Sequence, residues 1–118
     1  MAVGKVDAGE EPREWPGPLV VAILLAASGA IHNLVEAALP ASGEVGSGYP
    51  PYLLLAAAVE GACVVGLALR KRWGLVAYAS FFPFHQLSLL IAGTWGGIQF
   101  FLRLVALVAM IRVRDELT

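Results

Sequence analysis

Seven side chains that could do chemistry interrupt stretches that are otherwise almost wholly apolar: His32, Glu36, Glu60, His85, Gln86, Gln99 and Arg103. His32 and Glu36 are spaced i,i+4, as are Gln99 and Arg103, so on a helix each pair shares a face. Arg103 with Glu60 or Glu36 would make a buried ion pair that fixes helix register, and His32 and His85 would then be hydrogen-bonded core histidines. The competing reading takes all seven as the lining of a ligand pocket. A third takes His32 and His85 as the axial ligands of a b-type haem. No other metal site is expected. The chain lacks HExxH, a carboxylate-rich cluster, a serine-nucleophile motif and a phosphate-binding glycine loop, so no catalytic residue is assigned and no activity of its own is expected.

The elements that must position these residues follow from composition. Of 118 residues 58% are hydrophobic and 14% are charged, against about 25% charged in a soluble domain. A bilayer core needs roughly 20 apolar residues in a helix, and four segments qualify: 17–39, 51–69, 74–93 and 97–113. Pro16 and Pro18 suit a first helical turn. Pro40 with Gly43, Gly46 and Gly48 makes the longest loop, Pro50 and Pro51 open the second span, and Arg70-Lys71-Arg72 with Gly74 and Gly93 with Gly96 divide the rest. The expected fold is an all-α antiparallel four-transmembrane-helix bundle, 17–113, with short tails at 1–16 and 114–118. Small residues at Ala26, Ala27, Gly29 and Ala30, and at Ala56, Ala57, Ala58, Gly61 and Gly66, suit close helix approach in lipid. The first apolar run is longer than the roughly 7–15-residue core of a signal peptide, and it is expected to be retained.

Positive charge sets the orientation. Lys5 and Arg13 lie in the N-tail, Arg70, Lys71 and Arg72 between the second and third spans, and Arg112 and Arg114 at the end. The other two loops carry no Lys or Arg. Both termini are therefore expected in the cytoplasm, in a cell or inner membrane. Trp15, Trp73, Trp95, Tyr49 and Tyr52 fall at expected interfaces. A net charge of −1 argues against a nucleic-acid partner. The single Cys63 excludes an internal disulfide and reads as inert packing.

Counted from the outer helix ends, His32, Glu60, His85 and Arg103 all fall about 9–14 Å below the outer boundary. Each span thus contributes one member to a single polar layer, with Ser28 and Ser88 nearby and Glu36 and Gln99 closer to outer water. Pro83 removes the backbone bond to Ala79 and is expected to bend its helix just before His85. The expectation is a dead-end, mainly apolar cavity bounded by His32, Glu60, His85 and Arg103. Phe81, Phe84 and Phe100 form its walls, and a lipid, quinone or detergent tail fills it.

The run Gly29-Ala30-Ile31-His32, a Pro-containing loop, Glu60 in a Gly/Ala-rich helix and the ending Leu67-Ala68-Leu69-Arg70-Lys71-Arg72 resemble the DoxX-like small membrane proteins. The similarity covers residues 28–90. It implies a four-helix bundle and a link to membrane redox chemistry, the family's namesake being a subunit of a thiosulfate–quinone oxidoreductase. His85 and Arg103 are not carried over from it. The expected function is an accessory or structural subunit of a membrane redox complex with a quinone- or lipid-binding pocket, partnered by other membrane subunits or by its own copies. Two alternatives stand beside it: the bis-histidine haem protein, and a small proton-coupled multidrug-type exporter built on Glu60.

Overall fold

The computed structural model describes residues 14–118; Lys5, Arg13 and the rest of the N-tail to residue 13 lie outside the described residues. The described chain is helical, with no strand. Helix α1 spans Gly17–Ala38, α2 Pro40–Val45, α3 Tyr49–Ala68, α4 Arg72–Ala92 and α5 Gly97–Arg112, and a 3-10 turn follows at Arg114–Glu116. The loop expected after the first span is itself mostly the short helix α2. Pro40 at its first turn has no N–H to leave unpaired, and the extended Leu39 before it, with φ −83° and ψ 143°, is what a residue preceding proline adopts. Pro83 does not break α4, which runs through it.

Helix ends follow local chemistry. Two Schellman turns close α3 and α4. Thr94 N–H bonds to the Leu89 carbonyl and Gly93 N–H to that of Leu90, with Gly93 at φ 78°. The same bonds run from Lys71 to Gly66 and from Arg70 to Leu67, but here a non-glycine residue, Arg70, takes the left-handed position at φ 57°. Arg70 is held there by several partners. Its guanidinium stacks over the Trp15 ring at 5.0 Å, donates to the Glu14 carbonyl and lies 3.8 Å from Glu116. Its carbonyl accepts from the backbone N–H of Thr118, whose own carbonyl accepts from Arg72 N–H at 2.7 Å.

Each of α1, α3, α4 and α5 packs on two of the others: α1 on α3 and α5, α4 on α3 and α5. At the α3–α4 turn the backbones nearly touch. A Cβ on Gly74 would lie 3.0 Å from Leu67 N and 3.1 Å from Cys63 O, so glycine is what permits the approach. Two apolar clusters form the core. The larger contains Leu19, Ala22, Ala26, Cys63, Leu67, Tyr78, Ala106 and Met110; the smaller contains Tyr49, Leu53 and Leu89.

Three helices, α1, α3 and α4, are long and apolar enough to cross a membrane. At 16 residues α5 is shorter. The exterior matches that composition. Ile91 is 80% exposed and Ile98 77%, with Leu24, Ile31, Leu55 and Phe101 also outward. A soluble monomer rarely exposes so many large apolar side chains.

Candidate functional site: a buried Glu60–Arg103 pair beneath a polar cleft

The packed face of α1 runs Leu19, Ala22, Ala26, Gly29, Ala30, Asn33 at helical spacing. Its small residues let α3 and α5 come close, and Gly29 sits where they bring their charged side chains. Glu60 of α3 is fully buried and Arg103 of α5 is 3% exposed. Arg103 Nε donates to Glu60 Oε2 at 2.9 Å and Nη2 donates to Oε1 at 3.3 Å, a two-point contact. Asn33 Nδ2 donates to the same Oε1 at 2.6 Å. Arg103 completes its fork with Gln99 Oε1 at 3.3 Å and the Gly29 carbonyl at 3.4 Å. A buried ion pair holds only when its remaining donors and acceptors are satisfied, and here three helices satisfy them. A Cβ on Gly29 would stand 2.8 Å from Glu60 Oε2 and 3.3 Å from Arg103 Nη2, so the glycine makes the room.

Above the pair lies a cavity of about 180 Å³ lined by His32, Asn33, Glu36, Leu89, Thr94, Gly96, Gln99 and Arg103. A second, of about 170 Å³, is lined by Glu36, Leu39, Ala41, Ser42, Val45, Tyr49 and Thr94. Glu36 and Thr94 belong to both, so the two form adjoining chambers, the outer one covered by α2. His32 Nε2 lies 3.4 Å from Glu36 Oε2, both side chains being more than a third exposed. Tyr49 and Thr94 hydroxyls, 2.7 Å apart, tie the start of α3 to the α4–α5 turn.

The expected cavity is corrected in two respects. Neither Glu60 nor His85 lines its inner chamber: Glu60 is beneath it, behind Asn33 and Arg103. His85 is fully buried elsewhere, its ring between Phe81 at 4.9 Å and Tyr52 at 5.7 Å, with Nδ1 and the Tyr52 hydroxyl 2.7 Å apart. Gln86 Oε1 accepts from Trp95 Nε1 at 2.8 Å. Nor are Phe81, Phe84 and Phe100 its walls: Phe84 is 59% exposed, and Phe100 packs on Phe82 and Trp95. The seven residues therefore divide. His32, Glu36, Gln99 and Arg103 share one cavity with Glu60 as its support, while His85 and Gln86 join an aromatic cluster.

This division bears on haem. His32 opens on a chamber of about 180 Å³ that His85 does not line; His85 Nδ1 is paired with the Tyr52 hydroxyl, and its buried Nε2, which has no partner among the described residues, does not face that chamber. Ligand pockets of roughly 300–1,000 Å³ are usual even for drug-sized molecules. A haem between these histidines does not fit. Among the described residues no cluster of three or more His, Cys, Asp or Glu could hold a metal ion.

Sequence reasoning missed Asn33, Tyr52 and Trp95. Asn33 was open to discovery, because it continues the Ala22–Ala26–Gly29 stripe and so had to face the packed interior. Tyr52 and Trp95 read in the sequence as membrane-interface residues, and nothing in their spacing marks the side-chain partners they take.

No protein-family model, curated protein or solved structure matches this chain. The functional reading therefore rests on the site itself and on the motif resemblance described above.

Proposed function

We propose that the chain is an integral membrane protein in which α1, α3, α4 and α5 form an antiparallel four-helix bundle, with both termini cytoplasmic in a cell or inner membrane. The charge distribution supports this: Arg70, Lys71, Arg72, Arg112 and Arg114 fall in the α3–α4 turn and after α5, while the α1–α3 and α4–α5 connections have no Lys or Arg. At about 24 Å, α5 is the shortest span; Arg103 pairs with Glu60 and so does not have to reach water.

Within that frame the protein serves as an accessory subunit of a membrane redox complex, and its inner chamber takes the polar head of a quinone or lipid. The observation that carries the proposal is the chamber between α1 and α5, which offers His32, Gln99 and Arg103 as hydrogen-bonding groups over a charge-neutralised floor. An engineered 150 Å³ cavity holds benzene, so about 180 Å³ admits one ring and leaves a prenyl or acyl tail in the bilayer. The DoxX-like motif resemblance points to the same redox setting. A photoreactive short-chain benzoquinone added to native membranes tests it. The expected result is labelling near His32 and Gln99 that excess unlabelled quinone or lipid displaces, together with co-purifying membrane subunits. Labelling spread over lipid-facing positions such as Ile91, without displacement, overturns it.

A further inference from the structure

We infer that the outer chamber, under α2, is a binding site for an organic ammonium group, with the Glu36 carboxylate as its counter-ion and the Tyr49 ring as its wall. The inference rests on the cleft proposed above being open to ligand, and it goes further by fixing the charge and size of what enters this second chamber. Four observations lead to it.

The chamber's only charged lining residue is Glu36; Leu39, Ala41 and Val45 supply apolar walls, and Tyr49 an aromatic one. Arg103, the nearest arginine to the cleft, is already matched to Glu60. No Lys or Arg occurs between Pro40 and Tyr49 or between Gly93 and Gly97. Among the described residues the side chain that pairs with the Glu36 carboxylate is His32, whose Nε2 lies 3.4 Å from Oε2, and the carboxylate is 41% exposed. The cleft therefore presents one carboxylate with spare hydrogen-bonding and charge capacity, beside apolar surface, which is the recognition chemistry of a lipophilic cation. Volume sets the upper size: about 170 Å³ holds a trimethylammonium with one small apolar group but not a polycyclic cation, since 150 Å³ is filled by benzene.

The chamber is a binding place rather than the start of a passage. Below the Glu60–Arg103 pair the packed core is apolar apart from Cys63 and the Tyr78 hydroxyl, with no charged side chain to receive a cation.

The test uses the full chain in a neutral maltoside detergent, titrated with ethyltrimethylammonium and read by tyrosine and tryptophan fluorescence and by equilibrium dialysis. Saturable binding is expected, with 2,2-dimethylbutane, the uncharged isostere, failing to compete. Glu36→Gln should raise Kd by about tenfold or more, the equivalent of about 1.4 kcal/mol. Tyr49→Phe keeps the ring and should stay within about twofold, whereas Tyr49→Ala should weaken binding by roughly threefold or more. Glu44→Gln, on the outward side of α2, serves as the control for general surface charge and should change nothing. Competition by short-chain phosphatidylcholine would identify a lipid head as the natural ammonium, and competition by free choline alone would identify a soluble one. Absence of saturable binding, or equal binding by Glu36→Gln, overturns the inference. Quinone labelling near His32 and Gln99 in that same preparation would show that the inner-chamber proposal survives this failure; loss of both would remove the cleft as a site.

Discussion

Replacing Arg103 by alanine would leave Glu60, at zero exposure, with one hydrogen bond from Asn33 in place of three. Breaking a buried pair by removing one partner costs about 3–5 kcal/mol, most of it the burden of the stranded charge. The neighbours set a graded series. Asn33→Leu removes one strong donor while Arg103 stays, for about 1–3 kcal/mol. Gln99→Leu removes a 3.3 Å bond at the cavity wall, for about 1 kcal/mol or less. Arg103→Ala combined with Glu60→Gln removes the stranded charge, so the double variant should be more stable than Arg103→Ala alone, a non-additivity of about 1–3 kcal/mol. Unfolding in mixed micelles of maltoside and dodecyl sulfate, followed by circular dichroism, measures all four variants. The reasoning fails if Arg103→Ala unfolds with wild-type stability, or if adding Glu60→Gln makes it worse.

Gly29→Ala should destabilise by about 1–3 kcal/mol through overpacking, because the added methyl stands 2.8 Å from Glu60 Oε2; in the Arg103→Ala, Glu60→Ala background, measured by the same unfolding assay, its cost should largely vanish. For topology, single cysteines at Gly43 and Gly97 in a Cys63→Ala chain should react with an impermeant maleimide in intact cells, and one at Lys71 should react only after the membrane is opened. Labelling of Lys71 from outside would reverse the proposed orientation.

The helices were legible because membrane-length apolar runs bounded by Pro and Gly have few alternative structures. The fourth apolar segment emerged as a 16-residue helix, with Val113 left outside it. The layer was legible only as a depth. Counting residues along a helix gives height but not azimuth, and at 100° per residue the step from His32 to Asn33 goes from a partly exposed side chain to a buried one that reaches Glu60. The same limit placed His85 with Glu60: similar heights, but His85 turns to Tyr52 and Phe81 and Glu60 to Asn33 and Arg103. Pairing Arg103 with Glu60 rather than Glu36 needed the packing of α1 against both α3 and α5, which no spacing within one helix records. The helical form of Pro40–Val45 was hidden for another reason, since a six-residue glycine-containing segment has no apolar period to read.

The contact between Arg70 and Thr118 orders events in time. The Arg70 carbonyl accepts from both the backbone N–H and the hydroxyl of Thr118, and the Arg72 side chain reaches the Arg114 and Leu117 carbonyls. A growing chain makes the α3–α4 hairpin well before those partners exist. The left-handed Arg70, at a conformation that costs a non-glycine residue about 1 kcal/mol or more, must therefore wait for residues 114–118 to be synthesised before its contacts are complete. The hairpin is then held by residues 114–118 as well as by its own turn, and a substitution at Leu117 or Thr118 would be felt first as a loosened junction between α3 and α4.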